Sequence, residues 1–347
     1  MLRLEESSFQ SLIIHRVGNR SLEEGLQLSD SPVDATDPAL HAVLQQYFIS
    51  AITGDEMFHF KNEVSLDQNE IYHLARLIFA DPTTLTEHSR SIAAHLYEQS
   101  THPRIRAGEL YVVVFRDVVV EDEVTDAIGI FKSESRETFL QVDLAGHMAS
   151  IGHQEGIPAR KPDKACLIFN LDADRGYRVC ISDHLNRSTE AGFWKDDFLC
   201  LSPIGNDFYQ TNQFMNLTKQ FVTKQYAEEF EAGKADQIDL LNRSVDYFRQ
   251  NEVFDQSAFT EAVFEDSDVR SSFTRFEEQY RQDHDIDLDE TFTISIPAVK
   301  KQSRVFKSVI KLDRNFHIYV HGDKSLIEQG VDEHGRKYYK LYYQEEG

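Results

Sequence analysis

The pattern of apolar and polar positions divides the chain into segments of differing period. "TDPALHAVLQQYFISAI" places Asp37 before Pro38, and Leu40, Val43, Leu44, Tyr47 and Phe48 then recur at helical spacing, which predicts a helix capped by Asp37. "SLDQNEIYHLARLIF" and "TEHSRSIAAHLYEQS" predict two more amphipathic helices. The period then changes to that of extended chain. "GELYVVVFRDVVV" and "DAIGIFKSE" are β-branched and aromatic runs suited to buried strands, and "ETFLQVDL" alternates like a third. "KACLIFNLDADRGYRVCISD" reads as a hairpin about Asp172-Ala173-Asp174-Arg175-Gly176, with glycine available for positive φ, and "FWKDDFLCLSP" closes the region with the single tryptophan.

Beyond residue 210 the pattern turns helical. Phe214, Leu217, Phe221 and Gln225 share one spacing, as do Ile238, Leu241, Val245 and Phe248. Val269, Phe273, Phe276 and Tyr280 form a stripe opened by Asp266 or Asp268, and "RQDHDIDLDE" is an acidic connector. "VKKQSRVFKSVIKLDR" (299–314) fits two periods. On a helix Lys300, Arg304, Lys307, Lys311 and Arg314 line one side. On a strand Phe306, Ile310 and Leu312 share a face, and Phe316, Ile318 and Val320 continue it past Asp313-Arg314-Asn315, which favours a hairpin from about Val305. "DEHGRKYYKLYY" adds a further turn and strand. The fold class expected is α+β: an α+β domain over 1–209, a helical region over 210–289, and a C-terminal β element with a basic face over 290–347.

Composition bears out a packed chain rather than a disordered one. Of 347 residues, 41% are hydrophobic and 11% aromatic. No apolar run approaches the ~18 residues of a membrane helix, and "MLRLEESSFQ" lacks the form of a secretory leader, so a soluble cytoplasmic protein is expected. Cys166, Cys180 and Cys200 have no metal-binding spacing, and the first two sit within apolar runs as core residues do. The N-x-[ST] matches at Asn19, Asn186, Asn216 and Asn242 are therefore read as chance.

Charge changes the picture most. The formal net charge is −23, yet residues 299–314 hold six basic side chains and one acid. Residues 300–340 contain ten Lys and Arg against five Asp and Glu, a local balance of +5 that leaves −28 to the rest. An acidic body repels phosphate at long range, so a nucleic-acid surface on this chain has to be segregated from it. Lys300, Lys301, Arg304, Lys307, Lys311 and Arg314 are the candidate phosphate contacts, with nearby aromatic rings able to stack on bases. The competing reading is a solvated basic face paired with acids of the same chain.

Other constellations are weaker. "FTEAVFEDSDVRSSFTRFEEQYR" has the outline of a helix-turn-helix offering Arg270, Ser271, Ser272, Thr274 and Arg275 to a groove, but Glu277 and Glu278 would face phosphate, and a packing helix fits better. Asp126, Lys132 and Glu134 contain the residue types of a metal-dependent nuclease without its spacing, and Asp196-Asp197 is a second thin metal candidate. "DHDIDLDE" lacks the glycine and distal glutamate of a calcium loop. No phosphate-binding loop, nucleophile elbow or zinc-protease motif occurs, so no cofactor, metal or catalytic residue is assigned.

Seven stretches read in order resemble the bacterial nucleoid-associated protein family NdpA, most closely its Bacteroidetes-type members: "LIIHRVGN", "AAHLYEQSTHPRIRAGELYVVVF", "DAIGIFKSE", "KACLIFN", "EAGFWKDDFL", "KADQIDLLNRSVDYF" and "VKKQSRVFKSVIKLDRNFHIYVHG". The resemblance implies association with the bacterial chromosome, DNA as partner with little sequence preference, and no enzymatic activity. It supplies no residue-level contacts. The acidity departs from small basic nucleoid proteins and leaves as alternative an acidic adaptor or DNA mimic acting through a DNA-binding, chromosome-associated protein. A homo-oligomer remains open, and a metal-dependent nuclease stands third.

Overall fold

The computed structural model describes the chain except residues 1, 5, 6, 53, 55, 146, 147, 184–191, 285, 305, 307, 308, 313, 314, 321–325, 346 and 347. It is a mixed α+β structure, as the periodicities require. Two compact units divide it, Met1–Ile204 and Gly205–Gly347.

The first unit contains, in chain order, β1 (Leu2–Arg3), β2 (Ser8–Val17), β3 (Leu26–Gln27), α1 (Pro38–Ile49), β4 (Met57–Phe60), α2 (Glu70–Ala80), α3 (Leu85–Gln99), β5 (Gly108–Val120), β6 (Glu123–Ser133), β7 (Glu137–Ala145), β8 (Met148–Gly156), β9 (Lys164–Phe169), β10 (Arg178–Asp183) and β11 (Leu201–Pro203). Nine of these strands form one sheet in the order β11-β4-β10-β9-β6-β5-β2-β3, with β1 beside β5. Every pairing in it is antiparallel.

The continuous apolar runs have a direct cause, because both faces of this sheet are covered. Along β5, Leu110, Val112 and Val114 enter one core with Ile71, Leu74, Ile92 and Leu96 of α2 and α3. The alternate residues Tyr111, Val113 and Phe115 enter a second core with Tyr47 and Phe48 of α1. A strand buried on both sides loses the polar alternation of a solvated sheet. Cys166 and Cys180 follow the same rule and lie in opposite cores. Glu121 and Asp122, at φ 51° and 75°, make the tight turn between β5 and β6, both in the left-handed region that such hairpins require. Gly176 performs the expected service in the β9–β10 turn: its φ is +99°, and a Cβ there would lie 2.4 Å from the Phe60 carbonyl oxygen. Asp37 caps α1 through Ala39 N–H, as its position before Pro38 predicts. "FWKDDF" is a single π-helical turn, Phe193–Phe198, whose Trp194 is 1% exposed and donates to the Ala165 carbonyl.

The second unit contains α4 (Asp207–Gln220), α5 (Tyr226–Glu229), α6 (Lys234–Gln250), β12 (Val253–Asp255), α7 (Gln256–Val263), α8 (Ser267–His284), β13 (Thr291–Thr293), α9 (Ile296–Ser303), β14 (Val309–Leu312), β15 (Phe316–Tyr319), β16 (Ile327–Val331) and β17 (Lys337–Leu341). Its core is built largely of phenylalanine, with Phe214, Phe221, Phe248, Phe254, Phe259, Phe264 and Phe273 all buried. The stripe read on α6 is buried throughout, and on α8 Val269, Phe273 and Tyr280 are buried with Phe276 packed beside them. Gln225, spaced with the α4 stripe, is instead exposed. β14 and β15 pair with Ile310 opposite Ile318 and Leu312 opposite Phe316. Ile310 and Val320 pack on Ile238 of α6, but Phe316, read as facing inward, is 63% exposed at the hairpin's end.

Candidate nucleic-acid interface

Two elements carry the described part of the basic stretch. α9 begins at Ile296 with Pro297 in its first turn, where a missing N–H costs no hydrogen bond. Ala298 and Val299 are buried, and Gln302 donates to Asn212 Oδ1 at 2.6 Å, so α9 is fixed against α4. This anchoring decides which side of α9 is left to solvent. Lys300 and Arg304, one helical turn apart, are both exposed. Lys301 points elsewhere, with its ammonium 5.2 Å from the centre of the Phe208 ring. Lys300 and Lys301 also occupy the last turn of α9, where cations oppose the negative end of the helix dipole.

Lys300 and Arg304 stand on the rim of an open groove of about 940 Å³. Its apolar lining is Phe248, Ile294, Ile296 and Val299, and the end of α6 with the following turn, Arg249 to Glu252, also lines it. Arg249 therefore lines the same concavity as Lys300 and Arg304, where Glu252 is the single acid. Among the described residues neither Lys300 nor Arg304 has a carboxylate partner, and Arg249 reaches only Asp246 at 3.8 Å. Sequence reasoning missed Arg249, which lies some fifty positions upstream on a helix of balanced charge; its place in a last turn next to a polar break was the one local signal.

The other candidates are dispersed. Lys311 stands on β14 at the register position opposite His317. Lys307 and Arg314 lie outside the described residues. Further along the +5 stretch two cations are paired locally: Arg336 binds Asp332 at 2.7 Å, and Lys340 binds Glu328 at 3.3 Å; that contact raises the lysine pKa, while the Tyr342 hydroxyl first and then Lys340 lower that of Glu328. The basic stretch is thus a helix rim followed by two hairpins rather than one continuous β face.

The competing constellations are also placed. Arg270 donates to the Phe264 and Glu265 carbonyls, and Ser272 and Arg275 both bind Glu229. Glu277, expected near phosphate, is buried and held by Arg281 and Gln256. Those side chains tie α8 to its own unit. On β6 Asp126 pairs with Arg116, while Lys132 pairs with Glu134 at 2.9 Å and donates to the Arg106 carbonyl. Six strand positions, about 20 Å, separate Asp126 from Lys132, so these groups do not converge on one ion. Asp196 and Asp197 are exposed, and Asp196 faces Lys195 at 3.4 Å. Among the described residues no group of three or more His, Cys, Asp or Glu is arranged to hold a metal ion, and no helix is long and apolar enough to cross a membrane.

The class of protein that the sequence resemblance leads one to expect is a nucleoid-associated one of the bacterial chromosome. Comparison with family models bears this out. The model described as nucleoid-associated protein YejK matches residues 13–334, and the chain belongs to that nucleoid-associated family. Comparison with curated proteins gave no match.

Proposed function

We propose that this nucleoid-associated chain binds DNA directly, through phosphate contacts that read little or no sequence and are made from its second unit. The observation that carries this is the grouping of Lys300, Arg304 and Arg249 around one groove, two of them without a carboxylate partner among the described residues, on a chain of net charge −23. Lys301, Lys307, Lys311 and Arg314 extend the contact set. Such cations displace condensed counterions from the duplex and fix the protein on the backbone, which favours DNA of any sequence. The bound DNA needs no cofactor or metal, and its place is the nucleoid.

The test is a binding titration over salt. Three phosphate contacts give a log–log slope of about −2.7, and six about −5.4, so raising salt fourfold weakens binding about 40-fold or about 2,000-fold respectively. Reversing Lys300 and Arg304 to Glu flattens the slope and weakens all sequences alike. Because both side chains are exposed, stability changes by no more than about 0.5 kcal/mol. Full binding by that folded double variant would overturn the assignment. The −28 carried outside residues 300–340 supports the second reading, an acidic adaptor. That reading takes over if the pure chain fails to bind DNA at low salt and a DNA-binding protein restores the association.

A further inference from the structure

β7 and β8 form a two-stranded ribbon of their own, and among the described residues no other strand pairs with either. Its two faces differ sharply. The register sets Gln141 opposite Gly152, Asp143 opposite Ser150 and Phe139 opposite Gln154, and the Gln154 amide donates to Gln141 at 3.0 Å. That face is polar. The other sets Val142 opposite Ile151, Leu144 opposite Ala149 and Leu140 opposite His153. Leu140, Val142, Leu144 and Ile151 have the alternation of a strand packed on a core, yet they are 70%, 61%, 75% and 69% exposed.

An isolated two-stranded ribbon in water is marginally stable, and one with a bare apolar face requires a cover. The geometry points to a second copy of this chain as that cover, the two ribbons packing apolar face on apolar face about a two-fold axis.

Three features select a second copy. The face is self-complementary, since the Val142–Ile151 pair can lie on the axis with Leu140 and Leu144 on either side, and each copy then gives and receives the same contacts. Its electrostatics permit the approach: two chains of net charge −23 repel over most of their surface, but from Leu140 to Leu144 and from Ala149 to His153 this face carries no Asp, Glu, Lys or Arg. The area is sufficient. The four large side chains expose about 500 Å² per chain and about 1,000 Å² per pair, the lower limit for a specific interface. A contact of that size associates in the micromolar range, so the state of assembly would vary with concentration.

Sedimentation equilibrium of the full chain from about 1 to 100 µM tests this, because that range brackets the affinity expected of such an interface. The expected result is a monomer–dimer equilibrium. Val142→Glu with Ile151→Glu should raise the dissociation constant at least 100-fold, and Gln141→Glu on the polar face should leave it unchanged. All these sites are exposed, so Trp194 fluorescence should report the same fold in each variant. A wild-type chain that stays monomeric throughout, a dimer that survives Val142→Glu with Ile151→Glu, or one lost equally through Gln141→Glu would each overturn the proposal.

Discussion

His15 should make the first unit sensitive to mild acid. The ring lies on β2, 2% exposed, with both nitrogens engaged. Nδ1 accepts from the Ser29 amide at 3.1 Å, so the proton resides on Nε2, which donates to Ser89 Oγ at 3.0 Å; Ser89 in turn donates to the Thr86 carbonyl. A second proton would have to go on Nδ1, directly against the Ser29 N–H. Burial first, and then the positive charge of Arg90, lower the imidazole pKa from 6.5 to about 4; Arg90 itself pairs with Asp30 at 3.0 Å. The unfolded chain takes up the proton at its ordinary pKa and the folded chain resists it. This contribution to stability is therefore complete above pH 6.5 and is lost as the pH falls towards 4. The loss is about 2 kcal/mol at pH 5 and about 3 kcal/mol at pH 4. Urea unfolding followed through Trp194, the single tryptophan and part of the same core, reads this unit alone. His15→Gln should be less stable than the wild type at pH 7, and the gap should narrow by about 2 kcal/mol at pH 5. Parallel pH dependences for the two proteins between pH 7 and 5 would refute the reasoning.

Lys132→Met should destabilise the first unit by about 3–5 kcal/mol, because Glu134 is then left charged at 4% side-chain exposure; adding Glu134→Met should recover most of the loss in the same urea assay. Thiol labelling of the native protein should modify Cys200, which is partly exposed, ahead of Cys166 and Cys180, which are 0% and 1% exposed; burial also drives the Cys166 thiol pKa well up. Early modification of all three would mean that β9 and β10 open far more readily than their double burial implies.

The sequence showed most where one element has one period. The helices of the second unit were legible because Ile238, Leu241, Val245 and Phe248 form an unbroken stripe, and all four are buried. β5 and β6 were legible because burial on both faces leaves a β-branched run no other use. The assembly of the sheet was not legible: β2 pairs with β5 across some ninety intervening residues, and β4 sits between β10 and β11, relations set by long-range packing. "ETFLQVDL" was visible as a strand, but its partner "MASIGHQEG" was not, since Gly152 and Gly156 interrupt any β pattern. The basic stretch misled in part because period alone does not decide short segments. Helix holds as far as Ser303, strand begins only at Val309, and contacts with α4 made before the turn dictate which cations face water.

The order of strands also sets a timetable for synthesis. β2, an apolar strand, leaves the ribosome about ninety residues ahead of β5, its partner, which at typical elongation rates is a wait of roughly 5–20 s. The β5–β6 hairpin can form at once from neighbouring chain and then recruit β2 on one side and β9 on the other. β4 waits longer still, because both its neighbours, β10 and β11, come more than a hundred residues later. Until Pro203 has emerged, the nascent chain presents open, apolar strand edges of the kind that pair with other chains. The first unit thus depends on protection during translation more than the second, whose hairpins β14–β15 and β16–β17 close on adjacent chain.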